Sequence, residues 1–94
     1  MQPVRVSFLG TGDAFSAGGR HQAGYLVQGD GTSFLLDIGS STLGSMKQHG
    51  IDPSSIDLVL ISHLHGDHFS GLPFLFLQYI YEQRRQRPLR IAGR

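Results

Sequence analysis

Apolar and polar residues alternate from the start of the chain: Val4, Val6 and Phe8 against Arg5 and Ser7. A period of two predicts a half-buried strand. Gly10-Thr11-Gly12-Asp13 ends it, and the small, Gly-rich residues from Ala14 to Arg20 predict a loop. Such a loop can bring backbone N–H groups to an anion. With no P-loop or full dinucleotide fingerprint, a tight turn needing positive φ is the simpler reading. Gln22 to Gln28 and Thr32 to Ile38 predict two strands around the hairpin loop Gly29-Asp30-Gly31. Phe34, Leu36 and Ile38 share one face of the second strand, while Leu35 and Asp37 point to the other. Leu35 makes the second face apolar too, so both faces are expected to be buried, as in the middle of a sandwich.

Helical spacing follows. Ser41 to His49 predicts a short helix with Ser40 or Ser41 as N-cap, Gly50 just past its end, and Leu43 and Met46 inward. His49 falls in the last turn, where an imidazolium suits the dipole, and is expected to be structural. Asp52-Pro53-Ser54-Ser55 reads as a capped turn, with Asp52 as cap and Pro53 first. Asp57 to Ser62 then predicts a strand, buried through Leu58-Val59-Leu60-Ile61. A helix is predicted from about Ser70 or Leu72 to Gln86, with Pro73 tolerated in its first turn. Phe74, Leu75, Phe76, Leu77, Tyr79, Ile80 and Tyr81 leave its first half little polar face, so it needs cover on more than one side. Leu89 to Arg94 reads as the start of a further strand.

The mixture of strands and helices predicts an α/β fold, and 94 residues suffice for one small domain. Net charge is +1, which points to no partner. The charges are uneven, however. Arg84, Arg85, Arg87, Arg90 and Arg94 follow the motif below, against Glu82 alone. They could meet phosphate. A solvated helix end is the simpler reading, since no aromatic interleaving suggests base stacking. There is no cysteine, so neither a disulfide nor a thiolate metal site is available. Met1 leads directly into strand-like sequence, with no signal peptide visible. No apolar run approaches the roughly 18 residues that span a membrane. No membrane association and a cytoplasmic location are the default expectation.

The chemistry is concentrated in Ser62-His63-Leu64-His65-Gly66-Asp67-His68. Imidazole nitrogen and carboxylate oxygen are donors that zinc or iron accepts. A strand end running into a loop can turn all four side chains toward one point, whereas a helix would set His63 and His65 on opposite faces. A surface histidine tract is the competing origin, but such tracts do not usually cap an apolar strand. Asp37 is the other notable carboxylate. At the end of a buried strand it needs a partner. It stands behind the metal ligands and orients a ligand histidine or a metal-bound water, or binds the N–H groups of Gly39 to Ser41 and starts the next helix, and the two roles are compatible. His21 lies at a loop–strand junction, and nothing in its spacing requires it at the site.

His63-x-His65-x-Asp67-His68 after an apolar strand resembles the signature of the metallo-β-lactamase-fold hydrolases. Val6-Ser7-Phe8-Leu9-Gly10-Thr11-Gly12 is similar to the opening strand and loop of the ribonuclease Z-like and related phosphodiesterase branches. Leu36-Asp37-Ile38-Gly39-Ser40 resembles the family's first motif, and His68-Phe69-Ser70-Gly71-Leu72-Pro73 the segment after the metal motif. The resemblance implies the N-terminal part of an αββα sandwich, and residues 1–94 are expected to be a partial domain whose C-terminal remainder is missing. It further implies two zinc ions, with Mn²⁺ or Fe as alternatives. His63 and His65 would bind the first, Asp67 and His68 the second, and Asp67 would also orient the attacking water. Metals about 3.5–4 Å apart can share such a water and lower its pKa toward roughly 7.

The expected reaction is hydrolysis of a phosphodiester, in a small molecule or a nucleic acid. Other branches cleave thioesters, lactones or β-lactams. The downstream ligands of the family pattern are absent, so the isolated chain is expected to be nearly inactive. The competing class is a non-catalytic oligomerising or binding module, self-associating through its exposed apolar surface.

Overall fold

The computed structural model describes residues 3–93. Met1 and Arg94, which entered the readings of the chain start and the basic segment, lie outside them. The alternating start forms β1 (Arg5–Gly10), followed by a short turn at Ala17–Gly19. The hairpin is β2 (Gly24–Gly29) and β3 (Thr32–Leu36). Its loop is tighter than the three residues expected, because Gly29 pairs with Thr32. Asp30 and Gly31 both hold positive φ, 50° and 76°, the geometry whose twist matches a two-residue hairpin. β4 (Leu58–Leu60) adds parallel to β3, and β5 (Arg90–Ala92), the further strand expected near the end of the sequence, adds parallel to β4. The result is a mixed five-stranded sheet in chain order, antiparallel in its first half and parallel in its second.

One face of this sheet is closed by helices. α1 (Thr42–Gln48) buries Thr42, Ser45 and Met46, with Leu43 packed at the margin. Its N-cap is Ser41, but no side-chain cap bond forms, since the Ser41 hydroxyl accepts the N–H of Gln22 instead. Gly50 closes the helix at φ 69°, as its position predicts. Asp52 caps the turn Pro53–Ser55 through the N–H of Ser54 at 3.0 Å. α2 (Gly66–Phe69) is a single turn inside the histidine motif. α3 (Leu72–Leu77) continues into a π-helical turn, Gln78–Glu82. Leu26, Leu35 and Val59 form one cross-sheet rung that packs into a core with Ile38, Met46, Ile56, Leu75 and Tyr79.

Three further expectations are corrected. The last helix ends at Glu82, four residues before Gln86, because Gln83 turns extended and its amide donates to Asp52. The arginines therefore do not decorate a helix end. Arg85 donates to the carbonyls of Ser54 and Arg87, and Arg87 pairs with Asp57. Finally, Leu35 is buried but the opposite face is not: Leu36 is 38% exposed and Phe8 68%. Val6, Val27, Phe34 and Leu58 form one rung of that open face, and Phe8, Tyr25, Leu36 and Leu60 the next. Among the described residues no helix is long and apolar enough to cross a membrane.

Candidate functional site

β3 and β4 run parallel, so their C-terminal ends deliver Asp37 and Ser62 to the same edge of the sheet. Asp37 leaves β3 at φ 64°, a left-handed conformation that Asp tolerates better than most residues. Its N–H stays paired with the Leu60 carbonyl at 2.8 Å. The turn aims the carboxylate at Ser62, whose N–H reaches Oδ1 and whose hydroxyl reaches Oδ2, both at 2.7 Å. Oδ2 also accepts from His68 Nδ1 at 2.8 Å. Burial pushes the Asp37 carboxyl up. The bonds from Ser62 and the neighbouring His68 outweigh that and hold it below the ordinary carboxylate range. The alternative cap role is not taken: the Gly39 N–H goes to Thr42 Oγ1 and the Ser40 N–H to Gln22 Oε1.

The motif is mounted on the end of β3. The Ile38 N–H donates to the His68 carbonyl, and the Gly71 N–H returns to the Ile38 carbonyl. Glycine is required twice at this junction. A Cβ on Gly71 would collide with the Gly39 carbonyl oxygen, and one on Gly39 would stand 2.6 Å from the Asp67 carbonyl oxygen. Within the motif the expected residues lie close to one another in pairs. The His63 ring lies 3.8 Å from that of His68 and 4.7 Å from that of His65, centroid to centroid. Asp67 Oδ2 is 3.2 Å from His68 Nε2.

The ring nitrogens divide into held and open positions. The Ser62 hydroxyl donates to Asp37, so toward His63 Nδ1, 3.0 Å away, it is the acceptor. His63 and His68 thus both donate from Nδ1 and present Nε2. A carboxylate or hydroxyl behind the imidazole, with the far nitrogen open, is the arrangement that orients histidine for a metal. His68 Nε2 lies 3.2 Å from Asp67 Oδ2, an ion pair when both ring nitrogens carry hydrogen and a pair of facing acceptors when Nε2 does not. The donor types therefore fit a divalent cation. Their spread does not yet: among the described residues no group of three or more such side chains surrounds a common point. The rings touch one another and must part to admit an ion.

Two residues that the sequence did not single out complete the site. Ser62 holds both Asp37 and His63, and its place directly before the motif was the available signal. Gln22 bridges the Ala14 carbonyl and Ser40, and nothing in its spacing announced it. His21 is exposed and contributes its carbonyl to the Gly12 N–H. His49 is bonded by Nδ1 to the Ser45 carbonyl within its own helix, in keeping with a structural role.

The fold and this edge define a metallo-β-lactamase-fold protein. The YhfI protein of Bacillus subtilis, a solved structure of that fold, superposes with TM-score 0.81 and 27% identity over 97% of this chain and 38% of its own. Human tRNase Z, short form, superposes with TM-score 0.82 and 32% identity over 97% of this chain and 34% of its own. Within the fold, the chain belongs to the family described as anti-Pycsar protein Apyc1, whose profile matches residues 4–93. Ribonuclease Z of Methanococcus maripaludis is 40% identical over 90 residues, 96% of this chain. The chain spans 29% of that relative's length.

Proposed function

We propose that this chain is part of a metal-dependent hydrolase of the metallo-β-lactamase superfamily that cleaves phosphodiester bonds, RNA among its substrates. The observation that carries the reading is the relay from Ser62 through Asp37 to His68, whose Nε2 lies 3.2 Å from Asp67 Oδ2. The relatives named ribonuclease Z and tRNase Z support an RNA phosphodiester as substrate. His63, His65, Asp67 and His68 would hold the metal, zinc first, with manganese or iron as alternatives. When bound, the metal supplies Lewis acidity toward the phosphoryl oxygens and makes a water nucleophilic at neutral pH.

The chain's own residues do the rest. Asp37 fixes the His68 ring and its tautomer. Ser62 does the same for His63. Asp67 carries the acceptor that orients the attacking water and receives its proton.

We further propose that residues 1–94 form the N-terminal part of a larger αββα domain. The open apolar face of the sheet and the 29% coverage of the relative support this. Two ligands per metal fall short of the three or more usual for catalytic zinc. The isolated chain would then bind metal weakly and turn over little. The test is zinc content by elemental analysis after dialysis against trace zinc, for the wild type and for His63→Ala/His65→Ala, in this chain and in the intact protein. The reading expects near-stoichiometric zinc and cleavage of a phosphodiester over a thioester in the intact protein, both lost in the double variant. Zinc content equal in variant and wild type would overturn it.

A further inference from the structure

Among the described residues Phe15 is the most exposed of the large apolar side chains, at 91%. Its surroundings make that exposure unusual, because the backbone beneath it is tied down. Asp13 Oδ1 accepts the N–H groups of Phe15 and Ala17, both at 3.1 Å, and the Ala17 bond is foremost in holding the carboxyl below its ordinary value. The Ser16 N–H returns to the Asp13 carbonyl, and the Gly19 N–H to that of Ser16. Ser16, Gly18 and Gly19 take positive φ, and a Cβ on either glycine would meet nothing within 4 Å. The loop stands clear of the body and presents a ring on a fixed frame.

That frame is fastened to the candidate site. Gln22 Nε2 donates to the carbonyl of Ala14, next to Phe15, at 3.0 Å. Its Oε1 accepts from the Ser40 N–H and hydroxyl, at 2.9 Å each. Gly39, between Ser40 and the Asp37 segment, abuts both the Gln22 side chain and the Asp67 carbonyl. One glutamine side chain and one glycine thus span the distance from the aromatic loop to the metal motif. An aromatic ring exposed on a loop that Gln22 ties to the turn beside the histidine motif has the makings of a base platform, since every nucleobase offers a π-face.

We infer that Phe15 stacks on a nucleobase next to the scissile phosphate, and so selects phosphodiesters that carry a base there. This rests on the hydrolase reading above. The experiment uses the intact protein and three substrates: adenylyl-adenosine and two analogues, each with one base replaced by a tetrahydrofuran abasic residue. Phe15→Ala is expected to lower kcat/KM for the parent dinucleotide roughly tenfold, mainly through KM. Phe15→Trp should retain it. The analogue lacking the stacked base should be cut equally by wild type and Phe15→Ala. An equal loss on all three substrates, or no loss on any, overturns the inference.

If the wild type cleaves none of them, the hydrolase reading fails separately and stacking is read by binding. The chain holds no tryptophan. Phe15→Trp therefore places a new indole on the loop. Quenching of its added fluorescence by AMP but not by ribose 5-phosphate sustains the platform, and no difference between the two removes it.

Discussion

The two faces of the sheet carry the same kind of residue and meet different surroundings. On one, the rung Leu26–Leu35–Val59 is wholly buried beneath α1 and α3. On the other, Val6, Phe8 and Leu36 reach solvent among Tyr25, Val27, Phe34, Leu58 and Leu60. An antiparallel sheet built to face water has polar outward positions. This one has an edge-to-face Phe8–Tyr25 pair instead. Periodicity thus records where water is to be excluded, and not which element excludes it. The histidine motif stands on the finished side, sewn to Ile38, itself fully buried.

The largest expected effect tests that contrast at adjacent positions. Leu35→Ala should cost about 2–5 kcal/mol, through lost burial and the cavity left among packed neighbours. Leu36→Ala, one residue on and on the open face, should change stability by no more than about 1 kcal/mol. Urea unfolding of both variants decides it. Similar costs would mean that the open face is packed in solution after all.

Next in size is Gly71→Ala, because the mounting of the motif has no space for a methyl group. A cost of about 1–3 kcal/mol is expected. Metal affinity should fall with it, since His68 and Asp67 ride on the same turn. Unchanged affinity in a destabilised variant would show that the motif is held by contacts other than the Ile38 seam.

The sequence disclosed this fold unevenly, and the reasons are physical. Strands and short helices were legible because their periodicity, their caps and the glycine at 50 are local signals. The nearness of His63 to His65 and His68, and of Asp67 to His68, was legible because chain continuity confines them, but among the described residues no three of these side chains surround a common point. Asp37 stood out as a buried charge in need of a partner. Its partners, Ser62 and His68, depend on β3 and β4 lying parallel, which no local signal states. The end of the last helix was misplaced because Gln83 and Arg85 are drawn away by Asp52 and Ser54, each 31 residues earlier in the chain. The open face was misjudged because apolarity was equated with cover.

A smaller effect concerns association. Phe8→Lys with Leu36→Lys should reduce self-association of the isolated chain in light scattering at high concentration, while the unfolding midpoint moves little. A wild-type chain that is already a monodisperse monomer would break the link between the open face and self-association.

The smallest effect asks whether the finished face is closed by polar ties as well as by packing. Asp52 sits where the π-helical turn meets the Pro53–Ser55 turn. There Tyr79 donates to the Pro53 carbonyl and Gln83 to Asp52. The Ser54 N–H, then the Gln83 amide and the Ser54 hydroxyl, hold the Asp52 carboxyl below its ordinary 3.8. A carboxylate with a depressed folded value contributes stability above its unfolded value and loses it as pH falls through the folded one. Asp52→Asn should therefore be slightly less stable than wild type at neutral pH. The gap should close on acidification below 3.8, because only the wild type has that contribution to lose. Asp52 is exposed, so solvent screening keeps the gap small. Unfolding midpoints of the two proteins at pH 7 and pH 3 measure it. A gap that persists at pH 3 would assign the tie to neutral hydrogen bonding and leave the finished face to packing alone.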